Sequence, residues 1–198
     1  RPMKPFFAAA VLVAVLLSAC GAPAPAEMPD LTEADVLAAY ETAAELYDAF
    51  VLCSLSNTDA HVELDGAVWW AVDSETFTTY AALETAVRAS FAPALADQLL
   101  SDGAGNYRDI DGRLYTQGGA RGQNLYLLDK TVSAEQADAD RWTVTLTFWA
   151  DYMSQEPQAD GYDHTVATAG YSQTVLDYEK TETGWRFTSF CPSDALDL

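Results

Sequence analysis

Apolar residues recur at three- and four-residue steps between Val36 and Val51, taking in Leu37, Tyr40, Ala43, Ala44, Tyr47 and Phe50. A stripe of that period is one face of a helix, here about five turns long. Thr32 stands before it as an N-cap, and Asp35 falls in the first turn, where a negative charge suits the helix dipole. The polar run Ser54 to Asp59 predicts the turn that ends it. Beyond the Asp65-Gly66 turn signal, Ala67 to Val72 predicts a short strand. Leu83, Val87 and Phe91 then return to helical spacing as far as Ala92-Pro93. Proline removes an interior hydrogen bond but suits a first turn, so one helix should stop near Ser90 and the next run from Pro93 to about Leu100.

From Ser101 the period changes to two. Asp111-Gly112 opens Arg113 to Thr116, Gly118-Gly119 follows, and Leu125 to Val132 is a further run. The clearest strand is Arg141 to Tyr152: Trp142, Val144, Leu146 and Phe148 face one side, and Thr143, Thr145 and Thr147 the other. One face is therefore packed and one wet. Trp149 and Tyr152 break the buried alternation, which puts Trp149 on the wet face and marks both, with Arg121, as candidate partner-binding residues. A last hairpin is predicted to pair Tyr171–Tyr178 with Trp185–Phe190 around Lys180 to Gly184. Gln155 to Asp163 reads as a loop. Helices first and antiparallel strands later predict one α+β domain over residues 31–198, its N-terminal helices packed on a curved antiparallel sheet.

The N-terminal segment changes the compartment. Arg1 and Lys4 are followed by the apolar run Phe6 to Leu17, too short for the roughly 20 residues a spanning helix needs. Leu17-Ser18-Ala19-Cys20 fits lipoprotein processing, with residues 1–19 as signal peptide and Cys20 as the lipid-bearing first residue at the outer face of the membrane. Two acyl chains suffice for stable anchoring, and residues 20–30 form a Pro/Ala tether. Loss of Arg1 and Lys4 takes the formal charge from −20 to −22. That excess argues against nucleic acid and anionic headgroups; it suits a basic protein or cationic segment, although solubility at a crowded surface is the more ordinary reason for it, and charge alone names no partner. With Cys20 committed to lipid, Cys53 and Cys191 are the pair left for a disulfide in an oxidising compartment; two buried thiols are the alternative.

Chemistry is sparse. The two histidines, His61 and His164, stand in no metal-ligand spacing, and Asp163-His164 reads as a solvated turn. Asp109-Ile110-Asp111-Gly112 resembles the opening of a calcium loop, but the twelfth position is Ala120 where a glutamate is needed. An Asp-Gly turn is the better reading. Gly118 to Gly122 lacks the ending of a phosphate loop, and no serine stands in a nucleophile elbow. No cofactor, metal or catalytic residue is expected.

Asp111-Gly112-Arg113-Leu114-Tyr115, Gly119, Arg121-Gly122 and the late Gly184-Trp185-Arg186-Phe187, after a helix–strand–helix order, resemble small surface lipoproteins of Gram-positive, clostridia-like bacteria. The resemblance is particularly to the DL-endopeptidase inhibitor (IseA-like) family and covers roughly residues 31–190. The order also resembles the broader cystatin-like or NTF2-like cone, in which a curved sheet wraps a long N-terminal helix. The family resemblance implies binding to a cell-wall peptidase and blocking its active site, without catalysis. The alternative is an NTF2-like small-ligand binder or enzyme with a pocket inside the sheet. A buried carboxyl with raised pKa beside a tyrosine would be its sign.

Overall fold

The computed structural model describes residues 30–52, 55–118, 127–150 and 170–191. Helix α1 (Glu33–Val51) starts where Thr32 and Asp35 cap each other. The Asp35 amide donates to the Thr32 hydroxyl and the Thr32 amide to the Asp35 carboxylate, which satisfies donors that the helix start leaves open. No basic side chain lies in the last turn. There the Tyr107 hydroxyl donates to the Ala49 carbonyl and Asn106 Nδ2 to that of Phe50. Gly103 is needed beside them, because a Cβ at that position would collide with the Phe50 ring.

Strands β1 (Asn57–Leu64) and β2 (Ala67–Val72) make one hairpin, and β3 (Tyr107–Ile110) and β4 (Arg113–Thr116) another. Their turns, Asp65-Gly66 and Asp111-Gly112, have φ of 54° and 80°, and of 51° and 79°. Positive φ at both central residues is the two-residue type I′ turn, whose twist matches that of the strands. Between β2 and β3 run α2 (Tyr80–Ser90), capped by the Thr79 side chain, and α3 (Pro93–Asp102), with proline in its first turn. The first sheet has the order β1-β2-β4-β3. The second is an antiparallel meander, β5 (Leu127–Asp138), β6 (Arg141–Ala150), β7 (Gly170–Thr181) and β8 (Gly184–Phe187), in that order.

Three helices and two four-stranded antiparallel sheets among the described residues make a mixed α+β fold. The expectation of one curved sheet is thereby corrected to two. β1 and β3 were not legible: β1 begins at Asn57 inside the run expected to be a turn, and it is an edge strand whose side chains are mostly exposed. β5 continues to Asp138, beyond the expected end at Val132, because its pairing with β6 needs no apolar alternation. The last hairpin is tighter than expected, with Thr181 paired to Gly184 across Glu182-Thr183 and Gly184 at φ 125°. The predicted loop Gln155–Asp163 lies outside the described residues.

Helix α1 packs on α2, α3, β5 and β6, while α2 touches β3 of the first sheet and β8 of the second. Phe91, just past α2, bridges to Phe187, and the Ala92 amide donates to the Phe187 carbonyl at 2.8 Å. One cluster of buried side chains draws on every helix and both sheets: Val36, Leu46 and Phe50 of α1, Leu83 and Val87 of α2, Leu114 of β4, Leu146 of β6 and Phe187 of β8. A fully buried Leu or Phe contributes about 1.5–3 kcal/mol, so this cluster holds the layers together.

Candidate functional site

Strand β6 divides the second sheet into two chemistries. Trp142, Val144, Leu146 and Phe148 are buried, whereas Thr143, Thr145, Thr147 and Trp149 are half-buried on the opposite face. The register spreads that outer face over three strands. Thr147 is flanked by Thr131 and Gln173, Thr145 by Ser133 and Val175, and Trp149 by Asp129 and Tyr171. The hydroxyls are partly spoken for: Gln173 Nε2 donates to Thr147 Oγ1 at 2.9 Å, and Thr143 Oγ1 to the Glu135 carbonyl at 3.3 Å. Val175 is 55% exposed, the most exposed large apolar side chain described. Sequence reasoning missed Val175 and Gln173, although the strand's own alternation carried the signal.

Among the other sequence-predicted site residues, Cys20, Cys53, Arg121 and Tyr152 lie outside the described residues. Cys191 follows buried Phe190, which packs against the rings of Tyr40 and Tyr47, and its Sγ is 3.6 Å from the Tyr47 hydroxyl. Asp111 sits in the β3–β4 turn, and the Asp109 carboxylate accepts from the Tyr80 amide at 2.7 Å, so the calcium-like tetrad works as a hairpin turn and a cap for α2. His61 is exposed, with Nδ1 3.1 Å from the Asp59 carbonyl and its ring 4.6 Å from that of Trp70. Among the described residues no group of three potential ligands could hold a metal ion, and no helix is long and apolar enough to cross a membrane.

A second cluster joins α1 to β5. Lys130 Nζ donates to the Tyr40 hydroxyl at 3.4 Å and lies 5.7 Å from the Tyr40 ring centre. Burial, with the charges of Asp48 and Glu41, pushes the Tyr40 phenol up to about 12. Burial also raises the Asp48 carboxyl, against the opposing pull of Lys130. The phenol stays neutral at ordinary pH, and the lysine is the one cation that reaches this part of α1 among the described residues.

The other described cations are also engaged. Arg88 pairs with Glu84 and Asp97, Arg108 with Asp65, Arg141 with Asp138 and Lys180 with Asp140. Arg113 donates to the Val72 carbonyl, and Arg186 to those of Arg88, Trp185 and Thr183. The surplus charge offered to a partner is therefore negative. No protein-family model matches the chain, and no curated protein matches it.

Proposed function

We propose that this chain is an extracytoplasmic binding protein, anchored by lipid on Cys20, that docks a basic protein through the outer face of β5–β7 and does not turn over a substrate. The partner that suits it best is a cell-wall hydrolase, a peptidoglycan DL-endopeptidase whose active site it blocks. The observation that carries the reading is Trp149, half-buried on a threonine-lined face that also carries exposed Val175 two rungs away, opposite Thr145. Aromatic anchors on polar surfaces bury much area with few rotors to freeze. The acidic surplus favours a basic partner. In this reading β5–β8, with α1 against β5 and β6, correspond to the curved sheet of a cystatin-like or NTF2-like cone.

Affinity capture of wall-associated proteins on the chain, followed by a hydrolase inhibition assay, tests the proposal. Trp149→Ala should weaken capture about tenfold, 1.4 kcal/mol, with the thermal midpoint nearly unchanged. Hydrolysis of wall peptides by the purified protein would overturn it. A second reading, a small-ligand binder or enzyme, draws on half-buried Asp48 beside Tyr40. Its mark would be saturable uptake of a small ligand that Asp48→Asn abolishes.

A further inference from the structure

We propose that the edge of β5, which has no second strand partner among the described residues, is a strand-addition site that takes an extended, cationic segment of a partner protein as a further strand of the second sheet. This rests on the reading of the chain as a partner-binding protein and specifies a contact separate from Trp149.

The two edges of the sheet differ. The β8 edge is engaged by the Phe91–Phe187 bridge and the Ala92 amide. At the other edge β5 pairs with β6, and among the described residues no strand pairs with its far side. The register runs unbroken from Asp129 opposite Trp149 to Gln136 opposite Trp142, with irregularities only between Leu127 and Asp129 and between Gln136 and Asp138. In such a ladder alternate residues turn their N–H and C=O groups away from the paired strand. Exposed edges are usually blunted by proline, bulges or inward charge. β5 carries irregularities only at its two ends, beside Asp129 and Gln136, and one inward charge, Lys130; beyond it Thr131, Val132, Ser133 and Ala134 hold neither proline nor charge and pair regularly. Lys130, the only cation on the strand, is turned onto Tyr40.

The charge around the edge selects the occupant. Tyr40, Ala44 and Asp48 lie above one another on α1, and Tyr40 touches Lys130. Glu41 and Glu45 are next around the helix, so α1 rims the inner side of this edge with carboxylates, and Glu135 stands on the other face of β5, opposite Thr143. A segment carrying lysine or arginine on alternate positions would gain main-chain hydrogen bonds from β5 and charge pairing from the rim. A second copy fits worse: antiparallel self-pairing about Val132 sets Asp129 opposite Glu135 twice, between chains of formal charge −20.

The test uses the full chain and a synthetic peptide of about eight residues alternating threonine with lysine, with a threonine–glutamate peptide as control. The lysine peptide should slow amide hydrogen exchange in residues 129–136 about tenfold or more, and the glutamate peptide should not. A lysine peptide N-methylated at every second residue, which keeps the charge and removes main-chain donors, should lose that protection about tenfold. Unchanged exchange with the lysine peptide, or equal protection by both peptides, would overturn the proposal, as would protection that grows with protein concentration alone, the mark of a second copy. If Trp149→Ala weakens partner capture while an excess of the lysine peptide does not, the edge proposal fails and the binding function stands. If the lysine peptide protects β5 but no partner is captured, the edge site stands and the proposed function fails.

Discussion

Asp48 shows how one side chain can cost stability and be kept. Its carboxyl is held above the ordinary value of 3.8 by burial, so the folded state binds its proton more tightly than the unfolded chain does. Wherever the folded state binds more protons, stability falls as pH rises. The loss accumulates from the unfolded value up to the raised folded value and persists above it. Asp48→Asn is therefore expected to raise the thermal midpoint at pH 7, with the gain vanishing below about pH 3.8, where both states are protonated. Melting curves across pH check this; a gain unchanged with pH would mean that packing, not ionisation, is responsible. The Tyr40–Lys130–Asp48 cluster could not be read from the sequence, because Tyr40 and Lys130 are 90 positions apart and only the docking of α1 on β5 joins them.

At the scale of the element, β6 makes a sharp contrast between neighbours. Leu146 is fully buried, so Leu146→Ala should cost about 2–5 kcal/mol in denaturant unfolding, through lost transfer energy and the cavity left behind. Trp149→Ala, three positions along on the other face, should cost far less. Comparable losses would put Trp149 in the core and remove it as an anchor. This strand was legible because its two faces differ in kind, apolar against threonine. The Asp-Gly turns and the cap at Thr32 were legible for a related reason: their residues carry the local geometry themselves. β1 and β3 were hidden because an edge or a short strand held by backbone pairing places little demand on its side chains. The division into two sheets was hidden too, since α2 and α3 enter between β2 and β3 and nothing local marks which strands will pair.

For the whole molecule, two proposed covalent features set where the chain lives and what ties its ends. Cys20→Ala should release the protein from the membrane fraction or leave it unprocessed, and unchanged fractionation and mass would defeat the anchor. A Cys53–Cys191 disulfide would close a loop of well over 100 residues and stabilise by a nominal 4 to 5 kcal/mol. Thiol labelling of denatured, unreduced protein should then find neither cysteine, and two labelled thiols there would rule the bond out. The packing of Phe190 on Tyr40 and Tyr47 already brings Cys191 to α1.

The strand order carries a consequence for how the molecule assembles. The second sheet is a meander of consecutive strands, so each pairing joins neighbours in the chain and the loop entropy of closing it is modest. The first sheet must instead wait for β4 to return past two helices to reach β2, and α1 must find β5 across the 90 positions that separate Tyr40 from Lys130. Chains form local contacts before distant ones reward them. The wet face of β5–β7 should thus exist early in folding, while the Phe91–Phe187 bridge and the docking of α1 come last. In pulse-labelling, β6 and β7 amides should gain protection first. A refolding chain would then expose the uncovered inner face of that sheet, Val144, Leu146 and Phe148, until its first helix docks.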